Sequence, residues 1–144
     1  MSKSAFTLIE LLVVISIIAL LSTLSVVSLN NARQKARDTR RVADIKQIQT
    51  ALEMYAINRT DGLYPVTSSA NIKGLCLDDS SSVGFVSVCA GSVFMRKVPS
   101  NPTPSGTDYI YNSTGTSYTL TYWLENKVGS FNPGAATATP GGIQ

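Results

Sequence analysis

This 144-residue chain has no histidine, few charged residues and little cysteine. There is no histidine, and the only cysteines are Cys76 and Cys89, so the commonest general base and metal ligand is missing. Charged residues make up 15% of the chain and the net charge is +3, which does not by itself indicate a nucleic-acid partner. The composition therefore points away from a metal enzyme and from a catalytic triad built on histidine. Together with the patterns described below, it leads us to expect no enzyme, no catalytic residue, no cofactor and no metal site.

Proline and glycine are absent from the first 61 residues, and a long apolar segment lies within this stretch. No residue from Leu11 to Ala32 is charged, and as a helix this run would be roughly 33 Å long, about the thickness of a bilayer core. A buried helix of a soluble core is disfavoured because the run is apolar on all sides. A cleaved secretory signal is disfavoured because the run is too long and lacks a small-x-small cleavage site.

One carboxylate, that of Glu10, lies near the front of the apolar segment. An ionised side chain in hydrocarbon costs roughly 2.5–3.5 kcal/mol on insertion scales, so such a group usually has a function and a partner. From the residues alone, Glu10 is either such a group or the marker of the interfacial end of a simple anchor.

The sequence FTLIELLVVI at residues 6–15 resembles the N-terminus of type IV pilins and of the pseudopilins of type II secretion. In that family a prepilin peptidase removes a short basic leader, the new N-terminal Phe is N-methylated, and the fifth residue after the cut is Glu. The resemblance implies a leader of residues 1–5, cleavage between Ala5 and Phe6, and N-methylation of Phe6. It also implies an assembly salt bridge between Glu10 and the N-terminal amine of a neighbouring subunit.

The resemblance extends more loosely to residues 32–37, 43–55 and 63–65, which are similar to the long helix and its exit in the G-class major pseudopilins. Three features depart from the family. Ala5 stands where Gly is usual before the cut, no proline interrupts the apolar segment, and residues 124–129 lack the acidic character of the G-class calcium loop. The resemblance therefore does not extend to a calcium site, and we do not predict one.

The segment after the apolar run predicts an amphipathic continuation of the same helix. Apolar residues recur there at three- and four-residue steps, and Asp61 with Gly62 supplies a stop. We expect one helix from about Phe6 to about Arg59, with its arginines largely on a side away from the apolar stripe and only weakly paired with Asp38 and Asp44. The stripe consists of Val42, Ile45, Ile48, Leu52 and Tyr55.

The remaining residues predict a small antiparallel sheet. Residues 83–88, 108–112 and 117–124 have strand patterns, whereas residues 66–82 are typical of a loop in which Asp78 and Asp79 are solvated. The predicted class is α+β and pilin-like: a long N-terminal helix, half transmembrane and half amphipathic, packed on that sheet. The predicted divisions are a leader (1–5), a transmembrane or filament-core helix (6–30), a globular pilin domain (31–131) and a flexible tail (132–144).

Cys76 and Cys89 bear on the side of the membrane that the globular domain occupies. They are too far apart for a redox C-x-x-C motif and cannot complete a zinc site without other cysteines or histidines. A disulfide in an oxidising compartment is favoured over two buried free thiols. The positive-inside rule points instead to the cytoplasm, because only Lys3 precedes the span and five cations follow it. We follow the cysteines and the resemblance.

The arginine cluster after the span has three interpretations. DNA binding is the less favoured one, and contact with lipid head groups or pairing with acidic groups of other subunits is preferred. The cluster comprises Arg33, Arg37, Arg40 and Arg41.

Together these patterns predict a filament subunit rather than an enzyme. The first expectation is a type IV pilus subunit, and the alternative is a major pseudopilin of a type II secretion-type or competence machine. A membrane-anchored binding module that never polymerises is a second alternative. The resemblance implies further copies of the chain, a prepilin peptidase, an inner-membrane platform and a motor ATPase as partners. It places the chain as a single-pass protein of the cytoplasmic membrane, then in an extracellular or envelope-spanning filament.

Overall fold

Within residues 6–143, the part of the chain that it describes, the computed structural model has one helix and eight short strands. Helix α1 extends over Leu8–Asn58, close to the predicted limits. Gly62 has a φ of 65°, and its N–H donates to the carbonyl of Arg59 at 3.2 Å. Glycine adopts this left-handed conformation without strain, which explains why the chain leaves the helix here.

The chain divides into two compact units, Met1–Gln34 and Lys35–Gln144. In the first unit no described side chain is buried within the protein. Its apolar window has a mean hydropathy of 2.6, and the helix is long and apolar enough to cross a membrane. Four hydroxyls in it donate to carbonyls three or four residues earlier in α1, at 2.7–2.9 Å: those of Ser16, Ser22, Thr23 and Ser25.

The second unit contains the strands, which form two antiparallel sheets. The larger sheet has the order β1-β5-β6-β7-β8 and the smaller the order β3-β2-β4. In chain order the strands are β1 (Thr67–Asn71), β2 (Cys76–Asp78), β3 (Phe85–Val86), β4 (Val93–Met95), β5 (Ile110–Ser113), β6 (Tyr118–Leu124), β7 (Gly134–Thr139) and β8 (Gly142–Ile143).

The core of the second unit joins the apolar stripe of α1 to the inner face of β6. Alternation along β6 buries every second residue and leaves Trp123 42% exposed, as the period-2 pattern predicts. Burial of each large aliphatic side chain contributes roughly 1.5–3 kcal/mol. The core includes Ile45, Ile48, Leu52 and Tyr55 of α1 and Tyr118, Leu120, Tyr122 and Leu124 of β6.

The prediction of a flexible tail at residues 132–144 is wrong for the described part of that segment. Strand β7 pairs with β6 from Leu120 opposite Ala138 to Leu124 opposite Gly134, and Ala138 is fully buried. Small side chains suit this position because the ladder bonds of a sheet come from the backbone and do not need large residues. The Nε2 of Gln49 also donates to the carbonyl of Thr139 at 2.8 Å, which ties the end of β7 to α1.

The prediction of a loop over residues 66–82 is wrong for two parts of this segment, which form β1 and β2. The strands predicted at 108–112 and 117–124 are present as β5 and β6, and the one predicted at 83–88 is reduced to β3. The α+β class and the packing of the helix on antiparallel sheets are confirmed.

Candidate functional site

The N-terminal end of α1 holds Glu10 through three hydrogen bonds with Thr7. A Glu10 carboxylate oxygen accepts hydrogen bonds from the Thr7 backbone N–H at 2.9 Å and from the Thr7 hydroxyl at 2.6 Å. In return, the Glu10 N–H donates to the Thr7 hydroxyl oxygen at 3.3 Å. This reciprocal pattern is a capping box, and it places the carboxylate where the helix dipole favours negative charge. Sequence analysis missed this role, although the Thr-x-x-Glu spacing signals it.

Phe6 lies immediately before this cap and is 80% exposed. Ala5 and the rest of the leader lie outside the described residues. Phe6 and Glu10 line the same shallow surface on the first turns of α1, so the two residues implied in processing and assembly are neighbours. That surface is lined by Phe6, Ile9, Glu10, Val13 and Val14.

In the second unit, Arg41 of α1 is completely buried in a cluster of ion pairs. Its Nη1 donates to Asp38 at 2.6 Å and to Glu125 at 2.8 Å. A buried cation is tolerated only when it is both paired and fully hydrogen-bonded, and this one is. Its remaining donors bind the Asn101 side chain and the carbonyls of Pro102 and Ser105.

The acidic members of the cluster are equally well partnered. Asp38 accepts hydrogen bonds from the N–H groups of Glu125 at 2.9 Å and Asn126 at 2.7 Å. Arg37 forms a two-pronged pair with Glu125 at 2.6 and 2.7 Å. The Arg37 hydrogen bonds, reinforced by Arg41, outweigh burial and lower the pKa of Glu125 to about 2.

This cluster corrects the sequence prediction for the arginines. Arg41 and Asp38 are buried rather than exposed and weakly paired. Since Arg41 and Asp38 reach groups about 60 to 90 residues away in the chain, they fasten two loops to α1. Residues 124–129, which were compared with a calcium loop, are thus held by an arginine pair and an aspartate.

The structure joins Cys76 and Cys89 by a disulfide, with an S–S distance of 2.09 Å. In the chain-entropy model, closing a loop of this size stabilises a fold by roughly 3 kcal/mol. The bond ties β2 to the segment that precedes β4 and so secures one end of the smaller sheet.

Asp78 lies inside this disulfide-closed loop and is fully buried, which corrects the prediction that it is solvated. It accepts hydrogen bonds from Ser80 and from the N–H groups of Ala90 and Gly91. Burial opposes ionisation of Asp78, but these hydrogen bonds outweigh it and lower the pKa to about 2. Among residues 6–143, no group of three or more histidines, cysteines or carboxylates could hold a metal ion.

A long N-terminal helix, exposed and apolar in its first unit and packed on antiparallel sheets in its second, defines a pilin-like α+β protein. Residues 1–26 match the family described as the prokaryotic N-terminal methylation motif, so the chain carries the prepilin-type signal of type IV pilins and pseudopilins. No curated protein and no solved structure matches the chain.

Proposed function

We propose that this chain is a structural subunit of a type IV pilus-like filament, cut between Ala5 and Phe6, N-methylated at Phe6 and assembled through the first half of α1. The observation that carries the proposal is the methylation motif at residues 1–26, which supports a pilin-like or pseudopilin precursor. The exposed apolar helix that follows the motif is consistent with anchoring in the membrane before assembly.

The capping box supports the proposed role of Glu10 in assembly. By bonding to Thr7, the carboxylate is held at the N-terminal end of α1, where the amine of a neighbouring Phe6 could approach. An ammonium group and a carboxylate each cost free energy in a low-dielectric core, and each offsets the other when paired. The salt bridge would therefore set the register between subunits.

The exposed apolar side chains of the first unit are consistent with a helix segment that moves from the bilayer into a filament. A helix with large apolar side chains on every side is unsuited to water and needs lipid or other helices around it. The proposed partners follow: a prepilin peptidase, an inner-membrane platform with a motor ATPase, and further copies of the chain. The proposed location is a single pass in the cytoplasmic membrane, then an extracellular or envelope-spanning filament.

Two features favour a pilus subunit over a major pseudopilin of a secretion-type or competence machine. The loop at Glu125 is held by Arg37 and Arg41 rather than built as an acidic calcium loop, and a disulfide closes a second loop. Electron microscopy separates the two: long surface fibres support a pilus, whereas fibres confined to the envelope support a pseudopilus.

The test of the proposal is N-terminal peptide and intact-mass spectrometry on native membranes and on sheared surface material. We expect a chain that starts at Phe6, carries one added methyl group and is present in the sheared fraction. A chain that still begins at Met1 and occurs only in membranes would contradict the proposal and leave a membrane-anchored binding module.

Two variants sharpen this experiment. We expect Glu10→Ala to be cut but confined to the membrane, because it lacks the carboxylate for the intersubunit pair. Ser16→Ala is the matched control, since it also removes a polar group from the same helix, one whose hydroxyl bonds only to the Leu12 carbonyl. Surface fibres from Glu10→Ala at the level of Ser16→Ala would rule out the salt-bridge mechanism.

A further inference from the structure

The acidic side chains of this protein are all engaged within the chain. Each of the nine Asp and Glu residues accepts a hydrogen bond or forms an ion pair within the chain. The partners are Thr7 for Glu10, Arg41 for Asp38 and Glu125, Tyr109 for Asp44, Tyr64 for Glu53, Arg59 for Asp61, backbone N–H groups for Asp78 and Asp79, and Lys73 for Asp108.

The basic side chains behave differently. Among residues 6–143, ion pairs are formed only by Arg37, Arg41, Arg59 and Lys73. No carboxylate of the described residues forms an ion pair with the other cations, so their charges are open to solvent or to another molecule. The unpaired cations are Arg33, Lys35, Arg40, Lys46, Arg96, Lys97 and Lys127.

Two of these unpaired cations, Arg40 and Lys97, line one groove of about 480 Å³ in the second unit, together with Lys73. Both are exposed. Lys73 shares its charge with Asp108 at 3.2 Å. Asp44 acts electrostatically on Arg40, but its carboxylate is buried and already bound by the Tyr109 hydroxyl at 2.8 Å. The groove thus keeps a net positive charge.

The place of Arg40 in the chain indicates the source of the anion. Arg40 follows Ala32, the last residue of the uncharged run, by only eight residues in the sequence. Long arginine and lysine side chains can reach back toward a membrane surface while their charged ends stay in the headgroup layer. The groove offers no aromatic side chain on which bases could stack, and such stacking is the usual basis of single-strand binding.

We propose that the groove of Arg40, Lys73 and Lys97 binds the phosphate head groups of anionic phospholipids while the subunit is anchored in the membrane. The proposal rests on the anchored precursor stage of the proposed function. Each cation close to an anionic membrane strengthens association roughly fivefold. Head groups in this groove would also hold the second unit at the membrane surface before assembly.

The test uses the full chain in phosphatidylcholine vesicles that contain a minority of phosphatidylglycerol. Trp123 is the only tryptophan, so energy transfer from it to a dansyl group on either lipid reports which head group is nearby. We expect transfer to favour the dansyl-labelled anionic lipid. In the double variant Arg40→Gln/Lys97→Gln, we expect the preference for the anionic lipid to fall roughly fivefold for each cation removed.

The matched control is Lys46→Gln/Lys127→Gln, which removes two unpaired charges that do not line the groove and should keep most of the preference. An equal loss in both double variants, or no lipid preference in the wild type, would overturn the proposal. Duplex DNA binding that depends on Arg40 and Lys97, without a lipid preference, would overturn it in favour of a nucleic-acid groove. The filament proposal stands or falls separately, because this experiment does not involve fibres.

Discussion

The two halves of α1 are built for different surroundings, although they form one continuous helix. Ile18 in the first half is 57% exposed, whereas Ile48 in the second half is fully buried. The first half is uncharged from Leu11 to Ala32, while the second half buries Arg41 with its partners. The chain itself supplies the packing for the second half only, so the first half depends on what surrounds the protein.

The largest expected effect is on the buried ion cluster of the second half. Arg41→Gln removes the buried guanidinium that pairs with Asp38 and Glu125. Because both carboxylates then lose a partner, we expect the free energy of unfolding to fall by about 3–5 kcal/mol. The measurement is chemical denaturation of the full chain in detergent, followed by Trp123 fluorescence. Arg40→Gln, which removes an exposed and unpaired arginine, should change it by less than about 0.5 kcal/mol. Equal effects would show that the burial of Arg41 contributes nothing specific.

A second comparison makes the same substitution in each half of the helix. We expect Ile48→Ala to lower the free energy of unfolding by about 2–4 kcal/mol, because it leaves a cavity in the core. Ile18→Ala should leave it nearly unchanged in detergent, since that side chain is not buried within the protein. The same denaturation experiment measures both, and a large effect of Ile18→Ala would contradict the separation into two units.

The smallest expected effect concerns the dependence of stability on pH. Near neutral pH the paired carboxyls do not change the free energy of unfolding as the pH is varied, because they titrate only in acid. The pKa of Glu125 and that of Asp78 are each lowered to about 2 in the folded chain. A carboxyl with a lowered pKa stabilises the fold above its unfolded value and loses that contribution as pH falls through the folded value. Burial raises the pKa of Asp44 and gives an opposite, partly offsetting contribution.

We therefore expect constant stability between about pH 8 and pH 5 and a progressive loss from about pH 4.5 to pH 2. Denaturant midpoints measured across this range test the expectation. Glu125→Gln should be less stable at pH 7 and show a shallower fall in acid. A parallel curve for the variant would mean that the Arg37 pair does not lower the pKa of Glu125.

The helix and β6 could be predicted because their signals are local. A period of 3.6 marks the stripe through Ile48, and a period of 2 marks β6. Strand β7 could not be predicted in this way, since its alanines and threonines carry no strong pattern and its position is decided by pairing with β6. The burial of Arg41 was equally hidden, because Asn101 and Glu125 are brought to it only by the fold.

At the N-terminal site, the sequence allowed some residue roles to be predicted and one was missed. The sequence motif marked Phe6 and Glu10 through a family resemblance, yet the Thr7 capping partner follows from spacing and was overlooked. The roles of the side chains in the ion-pair cluster of Arg41 depend on loops that are distant in the sequence. No local sequence pattern therefore predicts them.

The hydroxyls of Ser16, Ser22, Thr23 and Ser25 all donate to carbonyls of their own helix. These groups therefore bring no hydrogen-bonding requirement to whatever lies beside the helix. Moving such a segment from hydrocarbon chains to the apolar flanks of other helices exchanges one set of dispersion contacts for another and breaks none of these four bonds. For the proposed move from membrane to filament, these four side chains therefore add no hydrogen-bonding cost.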